Sequence, residues 1–198
     1  MAKRLFDILA SLIGLALLLL PGLLLALWIK LDSAGPVFFR QERVGRFGRT
    51  FRIHKFRTMR ADAERVGGQL TVGADARVTR VGRWLRAHRL DELPQLIDVL
   101  RGDMSLVGPR PEVPRYVAMY PAAMREQVLA VRPGITDPAS LAFRGEATQL
   151  AAAADPEREY VEVILPRKLA LAADYAARAN LWTDLRVVAR SLAVLLTR

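Results

Sequence analysis

The segment Leu90-Asp91-Glu92-Leu93-Pro94-Gln95 sets two adjacent carboxylates just ahead of a proline. Proline is tolerated in the first turn of a helix but not in its interior, so Pro94 marks Asp91 and Glu92 as lying at a helix start. One reading is structural: Asp91 caps the helix and Glu92 complements its macrodipole. The other is chemical. Arg86 and Arg89 stand just upstream, and Arg110 sits downstream in Val107-Gly108-Pro109-Arg110-Pro111. Carboxylates ringed by arginines suit phosphoryl transfer. One carboxylate attacks phosphorus, and the other holds Mg²⁺, which prefers oxygen ligands and substrate phosphates. The arginines stabilise charge on the transferring oxygens. Lys55-Phe56-Arg57-Thr58-Met59 adds a second basic group, either a solvated strand end or another phosphate clamp.

The elements that would position these groups follow from pattern. Residues 37–39 suggest a short strand, and residues 48–56 alternate polar and apolar side chains, as a half-buried strand does. Together they predict a small hairpin with residues 45–48 at its tip. Residues 60–75 predict a short helix and then a loop. Residues 78–90 carry Val78, Val81, Leu85 and His88 at helical spacing, and residues 91–100 carry Leu93, Leu96, Ile97 and Leu100. Gly102 lies past the end of the second helix. Residues 116–131 read as an amphipathic helix. Its face of Tyr116, Met119, Tyr120, Met124, Val128 and Val131 suits either lipid headgroups or the protein core. Residues 156–178 and 181–197 predict two more helices.

Residues 8–29 contain no charged side chain. A helix of that length reaches roughly 33 Å, enough to cross a bilayer core. The run is longer than a signal-peptide core, and no convincing cleavage site follows it. Pro21 lies inside it, and basic residues flank both ends: Lys3 and Arg4 before, Lys30, Arg40 and Arg43 after. Basic flanks prefer the cytoplasmic side. The residues leave two arrangements open, a helix that crosses and one that bends at Pro21 and returns. In the second, Ser11 could satisfy a freed backbone carbonyl. Both place the remainder in the cytoplasm. The expected division is residues 1–31 as the membrane helix and 32–198 as a cytoplasmic catalytic domain.

Composition narrows the function classes. The chain has 198 residues, of which 52% are apolar and 25% charged, so it is neither disordered nor fibrous. It contains no cysteine, which excludes a disulfide framework, a thiolate metal site and a cysteine nucleophile. With His54 and His88 as the two histidines, a His-built metal cage has too few ligands. Lys and Arg number 30 against 20 for Asp and Glu, a balance that calls for an anionic partner. A rival reading is a membrane-tethered protein that binds a polyanion through the basic residues 40–60. No nucleic-acid signature supports it, and anionic headgroups account for the same charge.

Four motifs, taken in order, resemble the bacterial sugar transferases, the small monotopic phosphoglycosyl transferases. They are Lys55-Phe56-Arg57-Thr58-Met59, the run from Arg77 to Arg86, Leu90-Asp91-Glu92-Leu93-Pro94-Gln95-Leu96, and the run from Gly102 to Pro111. The similarity covers nearly the whole chain, beginning at Lys3-Arg4-Leu5-Phe6-Asp7. It implies an α+β monotopic membrane protein with a Pro-broken re-entrant N-terminal helix, interfacial amphipathic helices and a compact catalytic domain. That domain would lie on the cytoplasmic face of the bacterial inner membrane, among its lipids. The resemblance implies transfer of a sugar-1-phosphate from a UDP-sugar to undecaprenyl phosphate, with UMP released and glycoconjugate or exopolysaccharide assembly begun. Asp91 would be the nucleophile, Glu92 would help bind Mg²⁺, and Lys55, Arg86 and Arg110 would hold phosphate oxygens. No nucleic acid is expected, and a homodimer is left open. Many relatives read Gly-Ile-Thr-Gly where this chain reads Gly134-Ile135-Thr136-Asp137-Pro138. This departure leaves the sugar unidentified. Asp137, Pro138 and Arg144 are candidate nucleotide or sugar contacts, with a structural turn as the other reading.

Overall fold

A computed structural model describes residues 2–68 and 70–196. The leucine-rich N-terminal run, built from strong helix formers, makes one long helix, α1 (Ala2–Asp32). Its buried residues Asp7, Ser11 and Ile29 share one face with the half-buried Gly14, Gly22 and Leu25. Spacings of three and four make this a single stripe, so α1 lies against the rest of the protein along its length. The opposite face is bare leucine: Leu12, Leu17, Leu20, Leu23, Leu24, Leu27 and Leu31 are all exposed.

Beyond α1 come the strands β1 (Phe38–Val44) and β2 (Thr50–Phe56), then the helices α2 (Ala63–Val66), α3 (Arg80–Ala87) and α4 (Leu96–Arg101). The strand β3 (Ser105–Val107) precedes α5 (Pro114–Val117) and α6 (Ala122–Leu129), and β4 (Gly134–Thr136) follows. The chain ends with α7 (Pro138–Ala142), α8 (Glu146–Ala152), α9 (Pro156–Glu159), α10 (Leu165–Arg178) and α11 (Leu181–Leu196). The expected end of the last helix, Thr197, lies outside the described residues. The fold is α+β. β1 and β2 form the expected antiparallel hairpin, in register from Phe38↔Phe56 to Val44↔Thr50. β3 and β4 form a separate parallel pair. Each is three residues long, too short for alternation to reveal it in the sequence.

Both ends of α1 are fastened to the same body. Near its start, the Asp7 carboxylate accepts from Ser105 Oγ at 2.9 Å and from the Leu106 N–H at 3.2 Å. Arg4 donates to the Val99 and Leu100 carbonyls, the unpaired end of α4. Lys3 pairs with Asp184 of α11. At the other end, Ile29 packs with Phe56, Val81 and Leu85. Asp32 accepts from the Val81 N–H at 3.0 Å. Arg57 donates to the Ser33 and Ala34 carbonyls at 2.7 and 2.6 Å, closing the helix end.

Four expectations change. Pro21 lies on the exposed face, and α1 is helical through it. Ser11 faces the protein, fully buried, and its Oγ has no partner among the described residues, so it does not relieve a proline break. The helix expected over residues 116–131 is two short ones, because Pro121 interrupts it. Its lipid-facing reading gives way to the core reading. Tyr116 and Val128 are buried with Tyr160, Ile164 and Leu169, while Met119 alone of that face stands well exposed at 46%. His88 is exposed and packs at a tilt against Trp84, at 4.5 Å between ring centroids, rather than on the buried side of α3.

Candidate active site

The chain reverses at Arg89, which takes the left-handed conformation at φ 58°. Leu90–Gln95 then form a 3₁₀ turn that leads directly into α4. Pro94 lacks the N–H that a regular helical ladder would use, so the segment stays a short turn before α4 begins. Asp91 is therefore not a cap: it lies within the turn, and Arg89 occupies the N-cap position without a side-chain bond. The carboxylate that a structural reading would consume is left for chemistry.

Three elements deliver cations to this turn. β2 contributes Lys55, whose Nζ lies 2.8 Å from Glu92 Oε1. The loop after β3 contributes Arg110, which forks onto both Glu92 oxygens, with one arm at 3.3 Å. α3 contributes Arg86, anchored from Nε to Thr58 Oγ1 at 2.8 Å and from Nη1 to Thr71 Oγ1 at 3.3 Å. Glu92 is thus clamped. Asp91 is not: it is 9% exposed, and among the described residues no hydrogen bond or ion pair holds its carboxylate.

The two acids are driven apart electrostatically. Burial pushes the Asp91 carboxyl up, Lys55 pulls it down, and the neighbouring Glu92 charge pushes it up again; the net direction is upward. Burial would also raise Glu92. The charges and hydrogen bonds of Arg110 and Lys55 outweigh that and hold it well below the usual glutamate range. Lys55 is lowered, first by its own burial. Carboxylates pushed in opposite directions are the usual mark of divided roles. Asp91 is the more basic partner, and Glu92 is a fixed anion.

The structure brings together Asp91, Glu92, Lys55, Arg86 and Arg110. Of the remaining candidates, Asp137 adjoins the site beside Arg110 and Arg144 lies away from the carboxylate turn. Asp137 accepts from the Ser140 N–H and caps α7, with Pro138 at the first helical position. Asp137 also lines a small hollow of about 30 Å³ beside Arg110, with Glu112, Tyr160 and Lys168. Arg144 is exposed on the turn between α7 and α8. Arg57 closes α1 rather than facing the carboxylates.

Sequence reasoning missed the groups that hold the cations in place. Thr58 and Thr71 are ordinary residues until the fold sets them against Arg86. Arg43 steadies the Arg110 loop, donating to the Pro111 carbonyl at 3.0 Å. Glu112 accepts from Tyr160 Oη at 2.8 Å, and Tyr160 begins a π-helical turn, Tyr160–Ile164. That turn carries no sequence signal.

Known proteins resemble this chain along most of its length. The chain matches the family model described as bacterial sugar transferase over residues 1–198. It is 41% identical over 199 residues to a UDP-N-acetylgalactosamine-undecaprenyl-phosphate N-acetylgalactosaminephosphotransferase of Aeromonas hydrophila, covering 98% of this chain and 44% of that one. It is 42% identical over 198 residues to a UDP-glucose:undecaprenyl-phosphate glucose-1-phosphate transferase of Caulobacter vibrioides, covering 98% and 70%. It is 46% identical over 144 residues to the exopolysaccharide production protein PSS of Rhizobium leguminosarum, covering 68% and 70%. The chain therefore spans less than half of the Aeromonas relative and about seven tenths of the other two. The family match spans residues 1–198, and on that ground this chain belongs to the bacterial sugar transferase family.

Proposed function

We infer that this protein transfers a sugar-1-phosphate from a UDP-sugar to undecaprenyl phosphate through a covalent intermediate on Asp91. One observation carries the reading: of two adjacent carboxylates, Glu92 is locked between Lys55 and Arg110, while Asp91, largely buried beside them, has no hydrogen bond or ion pair among the described residues and is made more basic by its surroundings. An Asp91 oxygen attacks the phosphorus that bears the sugar. The bond from that phosphorus to the UMP oxygen breaks, and UMP leaves. A phosphate oxygen of the lipid acceptor then attacks the same phosphorus and returns the carboxylate. Arg86 and Arg110 stabilise charge on the phosphoryl oxygens as it builds. One site serves both half-reactions because donor and acceptor use it in turn.

The donor set suits Mg²⁺. Asp91 and Glu92 offer hard oxygens, and this ion commonly takes one or two carboxylates, with substrate phosphates and water completing its shell. Among the described residues no larger cluster of acidic, His or Cys side chains forms a self-sufficient cage. When bound, the ion would neutralise the diphosphate and help UMP depart.

The same reading places the protein at the inner membrane, with its catalytic part in the cytoplasm. The bare leucine face of α1 is too large an apolar surface to leave in water. Both ends of α1 bind one body, which supports a helix that enters the bilayer and does not cross it. The test is UMP release from a panel of UDP-sugars by membranes carrying the protein, with and without undecaprenyl phosphate. Asp91→Asn should release no UMP and retain no radiolabelled phosphosugar. Turnover equal to that of the unaltered protein would show that the covalent role is wrong.

A further inference from the structure

In the hairpin that carries Lys55, β2 pairs with no strand but β1 among the described residues, which leaves it one strand edge. At that edge the His54 N–H points to Asp98 Oδ2 at 2.8 Å. The neighbouring oxygen, Oδ1, meets His54 Nδ1 at 2.5 Å. One carboxylate thus holds both the backbone and the ring of a single strand residue, standing where a third strand would supply its carbonyl. Neither partner is incidental: His54 is 6% exposed and Asp98 is fully buried. Burying a carboxylate is costly unless it is hydrogen-bonded, and here both oxygens are used.

The placement matters because of what each partner adjoins. His54 immediately precedes Lys55, and Asp98 lies in the first turn of α4, which continues directly from the turn bearing Asp91 and Glu92. Asp98 also closes that helix from its backbone, where its carbonyl accepts from the Asp103 and Met104 N–H groups. Two bonds to one residue fix both the slide of β2 along α4 and its rotation about its own axis. The strand on one side of this tie supplies the cation, and the turn that runs into the helix on the other side supplies the anion. We propose that Asp98, acting through His54, is a positioning residue that sets the Lys55–Glu92 contact and thereby the electrostatic setting of Asp91.

The inference rests on the proposed transfer activity for its kinetic arm and needs no turnover for its chemical arm. In the chemical arm, the full chain in detergent is treated with acetic anhydride, and the acetylation rate of each lysine is read by peptide mass spectrometry. Lys55 is held by Glu92, and Lys168 is held by Glu146 in another part of the fold. Asp98→Leu should raise the Lys55 rate several-fold and leave Lys168 unchanged. A rise in both would signify general loosening and overturn the proposal, as would no rise in either.

In the kinetic arm, Asp98→Leu should lower kcat/KM for UMP release roughly 10- to 100-fold, the scale of a 1 Å misplacement. Asp98→Asn, which still accepts from the His54 N–H, should recover part of it. In a Lys55→Ala background the Asp98→Leu substitution should cost less than twofold, since its route of action is gone. Equal losses in both backgrounds would overturn the proposal. If Asp98→Leu does not accumulate, His54→Phe takes its place in both arms, with the same expectations at smaller amplitude. Failure of the unaltered protein to release UMP from any UDP-sugar, with Lys55 responding as stated, would count against the transfer activity and not against this tie.

Discussion

Gly82 faces the backbone carbonyl of Thr58 so closely that an added Cβ would sit 2.0 Å from the oxygen. The contact is the hinge between the hairpin and the helix that brings Arg86 to the site. The same carbonyl accepts from the Thr79 N–H at 3.0 Å, and Thr79 Oγ1 caps α3 by accepting from the Gly82 N–H. One turn later, Arg86 reaches back to Thr58 Oγ1. In Gly82→Ala, the helix gains about 1 kcal/mol of propensity. It loses more through displacement from Thr58, because the obstructing atom is backbone and cannot rotate away; overpacking costs about 1–3 kcal/mol. The variant should melt a few degrees lower in detergent and release UMP more slowly. The neighbouring Arg83→Ala, on an exposed position, should do neither.

Arg110 and Lys55 together neutralise Glu92, and Arg110 does so with a two-armed fork. Removing one partner of a buried ion pair leaves an uncompensated charge. Arg110→Met should cost about 3 kcal/mol, the low end for such losses, because Lys55 remains. Arg110→Lys keeps the charge and loses the fork, so it should recover stability better than activity. Urea melts and UMP release, measured on the same preparations, check both parts. A Met variant as stable as the unaltered protein would show that Glu92 does not need this partner.

The opposed behaviour of the two carboxylates is measurable in chelator, without metal. Asp91 is raised above its ordinary value, so on acidification it takes a proton before an unperturbed aspartate would. Glu92 is depressed, so its contribution to stability is complete above the unfolded glutamate value and is lost only as pH falls through its own lower one. Infrared difference spectra should show a protonated-carboxyl band that appears early on acidification. The band should be missing in Asp91→Asn and unchanged in Glu92→Gln, apart from a shift to lower pH once the repelling neighbour is gone.

What the sequence reveals and what it conceals have physical reasons. The hairpin is legible because alternation over residues 48–56 is a local signal and Gly45 and Gly48 mark its tip. Asp91 and Glu92 are legible because Pro94 restricts the backbone around them. Their cations are only half legible. Lys55, Arg86 and Arg110 stand out as residue types, but Arg57, equally basic and two residues from Lys55, proves to be the clasp on the end of α1. Two apart in an extended chain, they would share a face; what separates them is that β2 ends at Phe56, just before Arg57. The amphipathic face over residues 116–131 misleads for a similar reason: periodicity reports that a face is buried and does not name what buries it. His54–Asp98 leaves no local trace, since the partners lie far apart in sequence and each alone is an ordinary polar residue.

The last prediction concerns α1, whose 31 residues would reach roughly 46 Å if straight. That is more than a bilayer core requires, yet its first turns bind β3, α4 and α11 while its last turn binds α3 and β2. A helix that crossed the membrane would have to release one of these sets. The set at the start includes the buried Asp7, and stranding its partners costs about 1–3 kcal/mol for each unsatisfied group. With no native cysteine to interfere, Ala2→Cys and Ala34→Cys can be made singly. In sealed right-side-out vesicles neither should react with a membrane-impermeant maleimide, and in inverted vesicles both should. Labelling of Ala2→Cys from the outside would mean that the contacts of Asp7 and Arg4 do not exist in the membrane, and the single-sided arrangement would have to be abandoned. A second expectation separates anchoring from topology. Asp7→Leu leaves the Ser105 hydroxyl and the Leu106 N–H without their acceptor while adding to the apolar run. It should keep the protein in the membrane fraction and lower the melting temperature of the catalytic part.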